Sequence, residues 1–395
     1  MISTARGATP GELNAGIKVA VVRQRYNPCG GAERFVERAL GALVREGAQV
    51  TLITRSWEGA VQEGFQQKIC NPRYSRIFGG RIARDRSFAA CAQHEMAQGG
   101  YDIIQAHERI PGCMIFRAGD GVHAAWLEHR ARGQSAVARM VAKHSPFHRY
   151  ILQQEAAMLA SPALKTVICN STLIREEMQR YYRVPEEKLV VIENGVDLDD
   201  FHPRLAVQWR EYQRQTLGID ADTPVFLYVG GGFERKGVAQ LLAALTGMRS
   251  EQAQLVIVGK DRNSARFERQ ARRLGLEKRV LFVGAQQDVR PFYAMADAFV
   301  LPTRYDPMPN AALEAMASGL PIVTSTTCGI AARVTSGENG FVCDALDVAQ
   351  LAHHMDQLAA PGIANAMRGA ARAAVLDLDL DAMATKLIGL YHSLL

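Results

Sequence analysis

The sequence predicts two α/β domains, each built on a parallel sheet of the Rossmann-like kind. Three observations carry this. Short β-branched runs alternate with helical stretches through both halves of the chain. The alternation breaks once, near residue 195, and then restarts. At 395 residues with 48% hydrophobic composition, the chain is long and apolar enough for two cores of ordinary size.

Residues 17–24, IKVAVVRQ, read as a buried opening strand, and residues 1–16 before them as a loose N-terminal extension without the apolar core of a signal peptide. Residues 30–47 read as a helix with Phe35, Val36, Leu40, Leu43 and Val44 on one face and Gly47 as its stop. Strands are expected at 48–54, 101–107, 112–118 and 166–171. VVIENGVDLDDFHP (190–203) ends a strand at Asn194-Gly195 and continues as a polar turn. The pattern then resumes with strands at 224–231, 253–259, 279–284, 298–303 and 321–325 and helices at 237–245, 288–297 and 311–317. Domains are expected over 17–195 and 196–378. A final helix within 379–395, apolar on one face, would pack back on the first domain. Two such halves joined near 195 imply a cleft in which a ligand touches both.

The net charge of +6 is uneven: residues 1–195 hold 26 Lys+Arg against 18 Asp+Glu. This fits an anionic partner or surface, or simply an arginine-rich exterior. Seven scattered cysteines without a CxxC pair argue against a zinc site or a disulfide framework and for a reducing cytoplasm. No apolar run reaches bilayer length. The dinucleotide fingerprint GxGxxG is missing from both halves, which argues against a dehydrogenase.

The most informative stretch is LPTRYDPMPNAALEAMASGLP (301–321). Asp306 stands on a turn eight positions before Glu314, which sits near the start of a short helix. The first-turn amides near Ala311, Ala312 and Leu313, just past Asn310, open onto the same space. A helix start flanked by two carboxylates can bind a diphosphate through amides and sugar hydroxyls through acids. VGGGFERKG (229–237) places Arg235 and Lys236 on a glycine loop before another helix, a cradle for a departing diphosphate or a solvated basic turn. NPCGGAERF (27–35) offers Gly30 and Gly31 at a strand-to-helix loop, for close approach of a ligand or for a tight turn alone.

In the first half, His107 and Asp120 each end a strand, where polar side chains face the cleft of this architecture. His107 can hold a sugar hydroxyl, and Asp120 can accept a proton from an attacking hydroxyl. Each is also readable as an ordinary strand-end or turn residue. Finally, residues 126–155 interleave Arg130, Arg132, Arg139, Lys143 and Arg149 with apolar residues. Such a segment can lie on an anionic membrane or can be a core-facing helix with a charged outer side.

Taken together these motifs resemble the family-four retaining glycosyltransferases of the GT-B fold, in which two Rossmann-like domains face across a cleft. The resemblance runs over nearly the whole chain from residue 17. It rests on Gly30-Gly31, on Asn194-Gly195-Val196-Asp197 with Phe201, on Arg235-Lys236, and on Asp306 to Glu314 followed by ASGLPIV. Within the family it is similar to bacterial lipopolysaccharide-core enzymes through GGAERFVERAL, TLITRSWEG and GGFERKGV. One departure is Asp306, where the family has Glu; the shorter acid reaches the donor sugar differently. The resemblance implies a metal-independent transferase without cofactor, taking a hexose from a nucleotide-diphosphate sugar such as UDP-glucose to a lipid-linked saccharide. It implies no nucleic-acid partner, and a cytoplasmic place on the inner face of a membrane. It implies that Glu314 holds the ribose and Asp306 the donor sugar. An epimerase or phosphorylase on the same fold, or a non-catalytic sugar-nucleotide module, are the rival expectations.

Overall fold

A computed structural model describes residues 16–26, 40, 41, 43–45, 47–57, 64–75 and 79–395. Residues 1–15 of the expected extension, and Gly30 and Gly31, lie outside the described residues. So does most of the helix expected over 30–47, of which residues 40, 41 and 43–45 are described and helical.

The first domain carries a seven-stranded parallel sheet. Its strands are β1 (Lys18–Val22), β2 (Gln49–Thr54), β3 (Phe65–Ile69), β4 (Ile103–Ala106), β5 (Ile115–Arg117), β6 (Thr166–Cys169) and β7 (Leu189–Val191), in the order β3-β2-β1-β4-β5-β6-β7. The order reverses at β1, so the carboxyl ends of β1 and β4 frame a crevice where this architecture binds ligands. The second domain has six parallel strands: β8 (Val225–Val229), β9 (Gln254–Val258), β10 (Val280–Gly284), β11 (Ala298–Leu301), β12 (Ile322–Ser325) and β13 (Gly340–Cys343). Their order is β10-β9-β8-β11-β12-β13, reversing at β8. Central strands such as VFLYV in β8 are buried on both faces, as a sheet covered by helices on each side requires.

Within these two sheets, the strands absent from the sequence expectation are β3 and β13, and each is a sheet edge. β3 reads FQQKI and exposes most of its residues, so it lacks the apolar signature of a central strand. The helices that matter below are α1 (Gly80–Gln98), α2 (His123–Ala131), α3 (Ala136–Lys143), α4 (Pro146–Leu159), α5 (Val238–Gly247), α6 (Asn310–Ala317) and α7 (Leu380–Leu394). Helix α7 returns to the first domain: Met383, Leu387 and Tyr391 join Val19, Val21 and Ile103 in one buried cluster. The Tyr391 hydroxyl donates to Gln105 Oε1 at 2.9 Å. The chain therefore crosses between domains twice, and the crossings touch where Val196 pairs with Asp379.

The expectation of unpaired cysteines is corrected at one place. β3 and α1 bring Cys70 and Cys91 within 5.6 Å, Cα to Cα, and they form a disulfide. The 21-residue separation carries no sequence signature, because strand–helix packing sets it. The basic segment forms three helices, α2, α3 and α4.

Candidate active site

The glycine loop after β8 is shaped by the contact it must make. Gly237 precedes α5 at φ +79°, and a Cβ there would run into the carbonyl of Pro302. This close approach ties the loop to the one that follows β11. The Arg304 amide donates to the Arg235 carbonyl at 2.8 Å, and Thr303 Oγ1 donates to it at 3.3 Å.

Asp306 is placed by its backbone. Its amide donates to the Thr327 carbonyl at 3.1 Å, and its carbonyl accepts from the Gly329 amide at 2.9 Å. Its side chain is 9% exposed and receives both cations of the glycine loop. Arg235 Nη1 donates to Oδ2 at 3.1 Å and to the Tyr305 carbonyl at 2.6 Å. Lys236 Nζ lies 3.5 Å from the same Oδ2. Two cations against one carboxylate leave a local excess of one positive charge at the carboxyl end of the second sheet. A site of this kind holds an anion in a partly dry setting where charge is weakly screened.

Glu314 is buried in α6, with the Tyr293 hydroxyl 2.9 Å from its Oε2. The same hydroxyl lies 3.1 Å from the Ala311 carbonyl. The expected set of open amides narrows here. Ala312 and Leu313 both donate to the Pro309 carbonyl, at 3.0 and 3.4 Å, because the first turn closes tightly behind the proline. Of the three, this leaves Ala311. The side chain of Asn310 is also engaged: its Oδ1 accepts from Asn194 Nδ2 at 2.7 Å.

In the first domain His107 directly follows β4 and is 5% exposed. Its Nε2 lies 2.9 Å from Gln105 Nε2, and burial, reinforced by the Arg23 and Arg117 charges, holds its pKa well below the usual histidine range. It is a neutral ring whose charged neighbours belong to its own domain rather than to the Arg235–Lys236–Asp306 cluster. Asp120 is exposed on the turn after β5. The next residue, Gly121, has φ +74°, and a Cβ on it would meet the Tyr305 hydroxyl and, at 2.8 Å, the Pro307 ring. Asp120 and Asp306 therefore flank one seam between the domains.

That seam is held by residues of both halves. Tyr305 belongs to the second domain yet is buried in the core of the first. Its hydroxyl donates to Glu177 Oε2 at 2.5 Å and accepts from the Val122 amide at 2.8 Å, while its ring stacks on His129. Arg117 Nη2 donates to Asn194 Oδ1 at 2.7 Å, and Asn194 Nδ2 reaches the Met308 carbonyl at 3.0 Å. Arg304 donates to the carbonyls of Arg130 and Arg132.

Known proteins match this arrangement along nearly its whole length. The family described as Glycosyltransferase Family 4 matches residues 29–200, and that described as Glycosyl transferases group 1 matches residues 210–372. The chain belongs to the glycosyltransferases of the GT-B fold. Among its relatives, the lipopolysaccharide glucosyltransferase WaaG of Escherichia coli K12 is 27% identical over 327 residues, 82% of this chain and 84% of that protein. The lipopolysaccharide core biosynthesis glycosyltransferase LpsE of Rhizobium meliloti is 34% identical over 147 residues, 37% of this chain and 43% of that one. The crystal structure of WaaG superposes with a TM-score of 0.81 at 24% identity, covering 94% of this chain and 99% of that one. The structure of Anabaena Alr3699/HepE in complex with UDP and glucose superposes at 0.70, with 20% identity and 95% and 100% coverage.

Several residues of this glycosyltransferase escaped the sequence. Tyr305 stands next to Asp306, yet nothing in the sequence shows that it plugs the partner domain. Tyr293, the hydrogen-bonding partner of Glu314, lies 21 residues away on another helix. The membrane candidates also divide. Arg130 Nη1 meets His148 Nε2 at 3.2 Å within the first domain, while Arg132 pairs with Asp344 across the domains at 2.5 Å and so serves the seam. Arg139 and Arg149 are exposed on α3 and α4. Lys143 closes α3, and its side chain lies outside the described atoms. Among the described residues no helix is long and apolar enough to cross a membrane.

Proposed function

We propose that this glycosyltransferase moves a hexose, with retention, from a UDP-linked donor such as UDP-glucose to a hydroxyl of a lipid-linked saccharide of the lipopolysaccharide-core kind. The observation that carries the reading is the convergence of Arg235 and Lys236 on Asp306 beside the turn that presents Asp120. The relatives WaaG and LpsE support the acceptor class by their names, and the HepE complex supports the donor class.

In this reading the acceptor oxygen forms a bond to the anomeric carbon as that carbon's bond to the β-phosphate oxygen breaks. The bonding pair leaves with the diphosphate. Arg235 and Lys236 meet the charge that develops there, with the Ala311 amide and the α6 dipole beside them, so that these groups do the work a metal ion would otherwise do. The acceptor's proton passes to the departing diphosphate or to Asp120. Glu314 holds the ribose, oriented by Tyr293. Asp306 and the neutral His107 hold the donor sugar. Gly30 and Gly31 let the two substrates approach the backbone.

The lipid-linked acceptor places the protein at the cytoplasmic face of a membrane. Helix α3 supplies a surface for that contact, because Val137, Met140 and Val141 are exposed at 72%, 64% and 68% beside Arg139. The deciding experiment is a crystal soaked with UDP, alongside a thermal-shift screen of UDP-glucose, UDP-galactose, UDP-GlcNAc and GDP-mannose. The diphosphate is expected against Arg235 and Lys236. Density far from them overturns the reading.

A further inference from the structure

Next to the Asp120 turn, the first domain holds a basin of about 330 Å³ that the donor chemistry leaves unused. Its wall comes from residues just past the carboxyl ends of β1, β4 and β5, and from α1 and α4. That is where an open α/β sheet presents ligand-binding side chains. Its floor is apolar: Phe88 and Ile110 are 1% and 3% exposed. The volume falls at the small end of ligand pockets and suits one sugar unit rather than a chain.

Its charge is unbalanced. Five arginines line it against three acids, Asp85, Glu108 and Asp120. Some of the arginines are committed. Arg84 pairs with Asp85 at 2.7 Å, and Gln24 Nε2 donates to the same oxygen at 3.0 Å. Arg109 pairs with the fully buried Glu155 at 2.7 Å and donates to the Gly121 carbonyl at 2.8 Å. Arg25 and Arg81 bring their charge to the rim instead. Arg25 is exposed, and the Arg81 guanidinium lies 4.0 Å over the Phe147 ring, with Asp85 no nearer than a 4.0 Å contact. Stacking on an aromatic ring orients a guanidinium while leaving its N–H edge for an anion. Glu108 accepts from the Gln24 amide at 2.9 Å, and burial together with the Asp120 charge raises its pKa.

A neutral sugar asks for acids, amides and an apolar floor. It gives no reason for the guanidinium groups of Arg25 and Arg81 at the rim, where the lining arginines outnumber the acids even with Glu155 counted against Arg109. We propose that this basin is the acceptor subsite and that the sugar unit seated in it carries an anionic group, phosphate or carboxylate. Arg25 and Arg81 hold that group, while Glu108 and Asp120 face the unit's hydroxyls. The inference rests on the glycosyltransferase reading of the interdomain seam and adds the acceptor's chemical class to it.

The test uses the full chain saturated with UDP, so that the diphosphate site is filled. Binding of glucose 6-phosphate, glucuronate and glucose is then compared by saturation-transfer NMR titration, in the native protein and in the double variant Arg25→Gln, Arg81→Gln. At least tenfold tighter binding of one charged sugar than of glucose is expected. The phosphate and carboxylate arms report which group is preferred. The double variant, whose UDP affinity serves as the folding control, should lose that preference and bind all three sugars alike. Equal binding of glucose in the native protein overturns the inference, and so does a preference that survives in the variant. Failure of UDP itself to bind would instead overturn the donor reading on which the inference rests.

Discussion

The ammonium of Lys236 stands 3.5 Å from Oδ2 of Asp306, and that oxygen is also the acceptor for Arg235. The two residues are 70 positions apart and belong to different strand–loop–helix units of the second sheet. The carboxylate fixes both cations in position. On the proposed reading, a diphosphate arriving there would meet charges that need no further ordering, the condition under which electrostatic stabilisation of a leaving group is largest.

Lys236→Ala should therefore abolish most transfer while leaving the fold intact. A fall of about 100- to 1000-fold in turnover is expected for loss of one contact of this type. Coupled detection of released UDP measures it, with thermal unfolding as the control. Full activity in the variant would remove the diphosphate role.

Tyr305→Phe tests the seam. The variant leaves the buried carboxylate of Glu177 and the buried amide of Val122 without their shared partner. A loss of about 1–3 kcal/mol of stability is expected from such orphaned groups. Denaturant titration would show it, and turnover should fall as well, because Asp306 follows directly in the chain. Unchanged stability and turnover would show that the hydroxyl does not couple the domains.

Two histidines, His107 buried and His123 half-buried, set a pH dependence. His107 is held neutral by burial and by Arg23 and Arg117, and burial with the Arg109 charge pushes His123 down to about 3. In the unfolded chain both titrate near 6.5. Below that pH the unfolded state binds the extra protons, so stability is full above about pH 7 and is lost as the pH falls. For His107 the slope approaches about 1.4 kcal/mol per pH unit. Urea titrations between pH 7 and 5 should show the decline, and His107→Gln should reduce its slope, leaving the share of His123. An equal slope in that variant would place the effect elsewhere.

Membrane contact is checked with vesicles. Binding should require anionic lipid, fall with added salt, and weaken when Val137, Met140 and Val141 are all changed to Ser. These side chains are exposed, so the variant should fold normally. Equal binding to neutral vesicles would remove the electrostatic part of this surface.

What the sequence determined by itself is the part that depends on local chemistry. β-branched runs such as VFLYV and QLVIV declare central strands, because a strand covered on both faces must be apolar throughout. The Arg235-Lys236 loop and the Asp306 to Glu314 spacing were legible for a similar reason: a glycine turn and a helix start each need particular residues within a few positions. Two edge strands were not legible: β3, FQQKI, exposes most of its residues, and β13, GFVC, is buried but only four residues long, too short a run to declare a strand. Only the tertiary structure could decide that Asp306 holds both cations, that Tyr305 lodges in the opposite domain, that Asn194 bridges Arg117 to Asn310, and that Cys70 meets Cys91. Each of these is a meeting of residues distant in the chain. Such meetings are set by how sheets and helices pack, and local propensity holds no record of them.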